Sequence, residues 1–179
     1  MRGLLPLTLV LVLFLCSLTA CNNVATAEAF DAFAVECSAE DYYDLCYDYS
    51  EHGENSYFYN LDNTILFKTY TMVLMSNYDT ENYNLIKNQI REDLELTTIS
   101  NECLIHGKTY EVYYVENENR TYGYGEFDEF GFIAMNDKEM CIDYYWFSDQ
   151  DYDGRVCDEE DFYSFYNYAY SWLDAEIEK

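Results

Sequence analysis

Three acidic side chains at alternate positions, Asp149, Asp151 and Asp153, are followed by Gly154 and, further on, by Glu160. This is the stretch of the chain best suited to chemistry. Ionised carboxylates only accept, and hard cations take oxygen donors of this type. Other reactive residues are scattered. The two histidines, His52 and His106, each lie near a glycine in turn-like sequence and are expected in solvated turns. Cys103 and His106 stand three apart, but two ligands alone make a poor metal site. Glu126, Asp128 and Glu129 could serve hydrolysis by paired carboxylates. With 35 acidic residues in the chain, however, such proximity carries almost no information. No nucleophile elbow, glycine-rich phosphate loop or zinc-protease helix motif occurs.

The run from Asp149 to Glu160 resembles the calcium loop of EF-hand proteins, D-x-[DN]-x-[DN]-G followed by E at the last position. The resemblance implies side-chain ligands from Asp149, Asp151 and Asp153, a sharp turn at Gly154 and a backbone carbonyl from Arg155. Val156 would fill the apolar position, and Glu160 would be the bidentate carboxylate. Two features depart from the family. Cys157 stands where an oxygen or water is usual, and the segment before the loop reads as a strand rather than a helix. A helix after the loop fits the pattern. No second loop of this type is present, so the paired sensor arrangement is not expected.

The chain opens with Met1-Arg2-Gly3 and an apolar run from Leu4 to Leu15, which reads as a signal peptide over residues 1–20. The run is too short to span a bilayer, which takes roughly 20 apolar residues. Leu18-Thr19-Ala20-Cys21 resembles the lipobox of bacterial lipoproteins. That resemblance implies cleavage before Cys21, acylation of this residue, and a mature protein held at the extracytoplasmic side of the cell membrane. A competing reading is cleavage after Ala25-Thr26-Ala27, which would release a secreted protein.

The net charge of −26 disfavours nucleic acid, whose partners are basic, and anionic lipid alike. Of seven cysteines, Cys37, Cys46, Cys103, Cys141 and Cys157 remain if Cys16 leaves with the leader and Cys21 is acylated. Export permits disulfides, but an odd count leaves a thiol over.

Residues 21–35 are small, polar and alanine-rich, and read as a tether; residues 36–179 read as one domain. Ser38 is a candidate cap for a helix that presents Tyr42, Leu45, Cys46 and Tyr49, and residues 51–55 end it. Strands are expected at 57–59 and 65–75, with Asn60 to Asn63 as the turn between them. Thr80 is a candidate cap for a second helix, whose stripe is Tyr83, Ile86, Ile90 and Leu94. A meander follows: a hairpin through His106-Gly107-Lys108, a strand at 121–124, then strands at 130–135 and 140–147 about Asn136-Asp137-Lys138. The last segment is helical, with Phe162, Phe165, Tyr166, Ala169, Tyr170 and Leu173 on one face. The expected fold is α+β: an antiparallel meander sheet with helices packed on it, including a C-terminal helix. The element order loosely resembles that of the PsbP-like sandwich.

Together these features favour a non-enzymatic, surface-anchored lipoprotein whose domain is stabilised by structural calcium. A second reading is a lipoprotein that binds an extracellular glycan or protein without metal. A third is a secreted hydrolase using paired carboxylates.

Overall fold

The computed structural model describes residues 24–37, 39–63, 68–115 and 128–149, together with Glu159, Glu160, Phe162, Tyr163 and Tyr166. The leader, Cys21, Ser38, Ile65, the strand expected at 121–124, Phe165, and residues 150–158 and 167–179 lie outside the described residues.

The fold is α+β, built on one antiparallel sheet. Its strands are β1 (Val24–Ala25), β2 (Glu54–Asn63), β3 (Lys68–Asn77), β4 (Leu96–Ile105), β5 (Lys108–Val115), β6 (Asp128–Asn136) and β7 (Cys141–Asp149), in the order β1-β2-β3-β7-β6-β5-β4. Strands β4 to β7 form the expected meander, and β7 closes against β3 of the first hairpin. Helices α1 (Ala27–Cys37), α2 (Glu40–Ser50) and α3 (Thr80–Asp93) pack on one face of the sheet.

Side-chain alternation sorts the sheet into two apolar faces. Met72, Leu74, Ile133, Met135, Ile142, Tyr144 and Trp146 point toward Phe30 of α1, Cys46 of α2 and Ile86 of α3. Val73, Val112, Tyr114, Phe130, Phe132, Tyr145 and Phe147 point the other way, onto Phe162 and Tyr166. A sheet covered on both sides has no solvent face, which is why β7 is buried without interruption from Cys141 to Ser148. Cys37, Cys46, Cys103 and Cys141 are all buried as free thiols.

The tether expected over 21–35 is folded from Val24 on. Val24 and Ala25 pair with Phe58 and Tyr57 of β2. Phe30, Phe33, Ala34 and Cys37 of α1 are buried in the core, with Phe33 stacked on Tyr59 at 4.4 Å between ring centroids. Asn60 to Asn63 are not a turn: they continue β2, in register with Thr71 to Lys68. The α3 cap is Asp79, one residue before Thr80. Its Oδ1 accepts from the backbone N–H of Glu81 at 3.0 Å and of Asn82 at 2.9 Å. The stripe of that helix is as expected, with Tyr83, Ile86 and Ile90 buried and Leu94 against the core. Helix α2 has Ala39 at its cap position and no side-chain cap bond.

The β4–β5 turn consists of His106 and Gly107, both at positive φ (47° and 72°), the geometry that matches strand twist in a two-residue hairpin. The β6–β7 turn is held by Asn136, whose side-chain oxygen accepts from the N–H groups of Lys138 and Glu139 at 3.0 Å each. Met140 belongs to this turn, at φ 54°, rather than to the strand after it.

Helix α2 docks through a contact that requires a glycine. The Tyr42 hydroxyl donates to the Phe132 carbonyl at 2.9 Å, which lays its ring over Gly131. A Cβ at Gly131 would stand 2.5 Å from Tyr42 Cε2. Gly131→Ala should therefore displace the ring and cost about 1–3 kcal/mol. In a thermal melt this appears as a midpoint lower by several degrees; an unchanged midpoint would show that α2 docks independently of this contact.

Candidate functional site

The acidic run begins where a central strand ends. Strand β7 lies between β3 and β6 and carries the backbone to Asp149. In register, Asp149 sits across from Thr69 on one side and Asp128 on the other. By Glu159 and Glu160 the chain is helical, with both residues exposed. Two residues later the helix is pinned, because Phe162 is fully buried against Phe132 and Tyr145. The described residues at the two ends of the run are thus the last residue of a strand, Asp149, and two helical residues, Glu159 and Glu160. Asp151, Asp153 and Arg155 lie outside the described residues. Among the described residues, no three His, Cys, Asp or Glu side chains gather closely enough to hold a metal ion.

The structure also shows a buried acid that the sequence pattern hid. Asp143 stands in the middle of β7 and is 3% exposed. Its neighbours on the same face are Cys141 and Tyr145, and Tyr110 reaches it from β5. Tyr145 Oη donates to Asp143 Oδ2 at 3.3 Å, and Tyr110 Oη lies 3.4 Å from Cys141 Sγ. Burial pushes the Asp143 carboxyl up to about 7, against smaller lowering contributions from the Tyr110 and Tyr145 hydroxyls. Burial likewise raises the Cys141 thiol, to about 11. The cluster is a polar island packed among the apolar residues of the second sheet face.

A second polar network ties α3 to the sheet. Lys87, 8% exposed, is ion-paired with Asp137 and lies 3.4 Å from Glu111. Arg91 joins Glu111 at 2.6 Å and the Tyr113 hydroxyl at 2.7 Å, while Tyr83 donates to Asp137 at 2.6 Å. Hydrogen bonds from Lys87 and then Tyr83 hold the Asp137 carboxyl below its usual range. With each cation matched by a carboxylate, the arrangement locks a helix and a turn in place and leaves no cation aimed at a ligand.

His52 is exposed in the turn after α2, as expected. His106 is not simply solvated: it is half-buried, with its ring 5.8 Å from that of Tyr166. Cys103 is fully buried, and Tyr163 lies beside it, its hydroxyl accepting from the Leu104 N–H at 2.9 Å. Glu126 is outside the described residues, and Glu129 is half-buried. An apolar crevice between α2 and the sheet, lined by Phe30, Tyr42, Met72 and Trp146 among others, has room for about one water.

Comparison with known proteins gives no relative: no family model, no curated protein and no solved structure matches this chain.

Proposed function

We propose that the protein is a non-enzymatic lipoprotein, anchored by acylated Cys21, whose α+β domain is stabilised by one structural calcium ion in the loop 149–160. The observation that carries the calcium reading is the register of Asp149 against Asp128 where the acidic run begins, with helical residues Glu159 and Glu160 where it ends. Asp149, Asp151 and Asp153, the Arg155 carbonyl and Glu160 would supply the oxygens. The ion would neutralise carboxylates that otherwise repel one another, and would join the end of a core strand to the start of a helix that covers the second sheet face. Extracellular calcium is about millimolar, the range in which extracellular modules bind.

Calcium that binds only the folded state adds RT ln(1 + [L]/Kd), about 1.4 kcal/mol when free calcium is tenfold above Kd. Chelator should lower the melting midpoint by a few degrees, and magnesium should restore it poorly because it keeps its own octahedral shell of water. Glu160→Gln should abolish most of the response, while Glu102→Gln on exposed β4 should leave it intact. A midpoint indifferent to calcium and chelator, with no heat of binding at millimolar calcium, would reduce the loop to an acidic turn. Anchoring has its own test: Cys21→Ser should shift the protein from the membrane fraction to the medium or leave it unprocessed. Retention in the membrane with normal processing would refute acylation at this residue.

A further inference from the structure

The chain enters the domain at the outer edge of the sheet. Val24 and Ala25 form β1 against Tyr57 and Phe58, near the middle of the ten-residue β2. Thr26 at once caps α1, its Oγ1 accepting from the Ala29 N–H at 3.2 Å and its carbonyl from the Phe30 N–H at 3.0 Å. Phe30 is buried and tilted against Tyr57, with ring centroids 5.3 Å apart. Val24 is therefore fixed to the body of the domain. Between Cys21 and this fixed residue stand Asn22 and Asn23. Three residue steps reach at most about 10 Å.

We propose that the β1–β2 edge of the sheet is a membrane-apposed surface, held against the lipid head groups by the short link to Cys21. This rests on the acylation proposed above. The attachment point near the middle of β2 places the edge, rather than a corner, toward the bilayer. The sheet then stands away from the membrane, and β4, five strand spacings beyond β2, lies about 24 Å further out. Exposed Glu28, Glu51 and Glu54 flank the apposed edge. At physiological salt, charges are felt within about 8 Å, so this acidic collar fits a zwitterionic leaflet and opposes an anionic one.

The test uses the full chain, acylated in a bacterial host and placed in phosphatidylcholine nanodiscs doped with nitroxide-labelled head groups. Mass spectrometry of the purified protein reads acylation at Cys21, and amide NMR reads paramagnetic broadening. Signals of Asn55, Tyr57 and Tyr59 should broaden strongly, and those of Asn101, Glu102 and Leu104 weakly. A Gly/Ser insert of about 12 residues between Asn23 and Val24, reaching on the order of 19 Å, should erase the difference. Replacing half the lipid with an anionic one should weaken broadening at β2. An acylated protein with equal broadening at both edges, or an insert that leaves the pattern unchanged, overturns the surface but not the anchor. A protein without the acyl mass overturns both.

Discussion

A chain ending at Gly154 should fail to fold. The segment it loses carries Phe162, fully buried, and Tyr166, 7% exposed, which pack on the second face of the sheet. Phe162 alone lies 5.1 Å from the Phe132 ring and 5.9 Å from that of Tyr145, edge-on to both. Removing a buried Phe side chain typically costs 3–5 kcal/mol, whereas whole domains are stable by about 5–15 kcal/mol. Loss of Phe162 together with Tyr163 and Tyr166 therefore consumes most of that margin and leaves Phe132, Tyr145 and Phe147 open to water. Phe162→Ala is the milder version. It should lower the melting midpoint by on the order of 10 °C while leaving the far-ultraviolet spectrum native at low temperature. A truncated chain that melts cooperatively at the wild-type midpoint would make the helix peripheral, contrary to its place in the core.

Asp143→Asn should stabilise the protein at neutral pH and do nothing near pH 3.5. In the folded chain the Asp143 carboxyl keeps its proton up to about pH 7, because burial raises it from 3.8. The unfolded chain releases that proton near 3.8, so folding takes up a proton between these limits. Stability contributed by the protonated group is therefore fully present below 3.8, declines as pH rises, and is lost above about 7. The slope within the window approaches 1.4 kcal/mol per pH unit, for a total of a few kcal/mol. Asn has nearly the same shape and no proton to lose, so the wild-type and variant curves should meet at low pH, separate across the window and run parallel above it. Asp137 and Asp79 act in the opposite sense. Both carboxyls are lowered, Asp137 chiefly by Lys87 and Asp79 chiefly by the Asn82 N–H, and their contribution disappears as pH falls through their folded values. Because both variants share them, the difference between curves isolates Asp143. Urea titrations from pH 3.5 to 8 would decide it. Curves parallel throughout would mean that Asp143 is ionised within the fold and compensated there.

What could be read in the sequence was what is set locally. The stripe Tyr83, Ile86, Ile90 has one helical solution. His106-Gly107 and Asn136-Asp137 are turn chemistry between apolar runs. The C-terminal aromatics spaced three and four apart announced a covering helix, of which Phe162 and Tyr166 are buried. The tether reading failed for a visible reason. Alanine-rich composition drew attention from Phe30, Phe33, Ala34 and Cys37, which stand at intervals of three, one and three and make a helical face. Asn60 to Asn63 failed for a non-local reason: these are turn-forming residues, and only pairing with β3 across the sheet extends them as strand. Asp143 sat inside a run of strand formers, and nothing local marks it as buried. The alternation that places it with Cys141 and Tyr145 acquires meaning only once the second face of the sheet is known to be covered.

The buried thiols bear on the order of events after synthesis. A thiol joins disulfide exchange as its thiolate, and packing raises Cys37 to about 12 and moves Cys46 higher still, both chiefly through desolvation. Cys103 and Cys141 are raised in the same way. In the folded domain these four buried thiols therefore offer little thiolate for exchange at neutral pH. The unfolded chain has no such protection, since every cysteine then titrates near the ordinary value. In an oxidising compartment the outcome is a kinetic race. Collapse of α1 and α2 onto the sheet must bury Cys37 and Cys46 before an oxidant captures them.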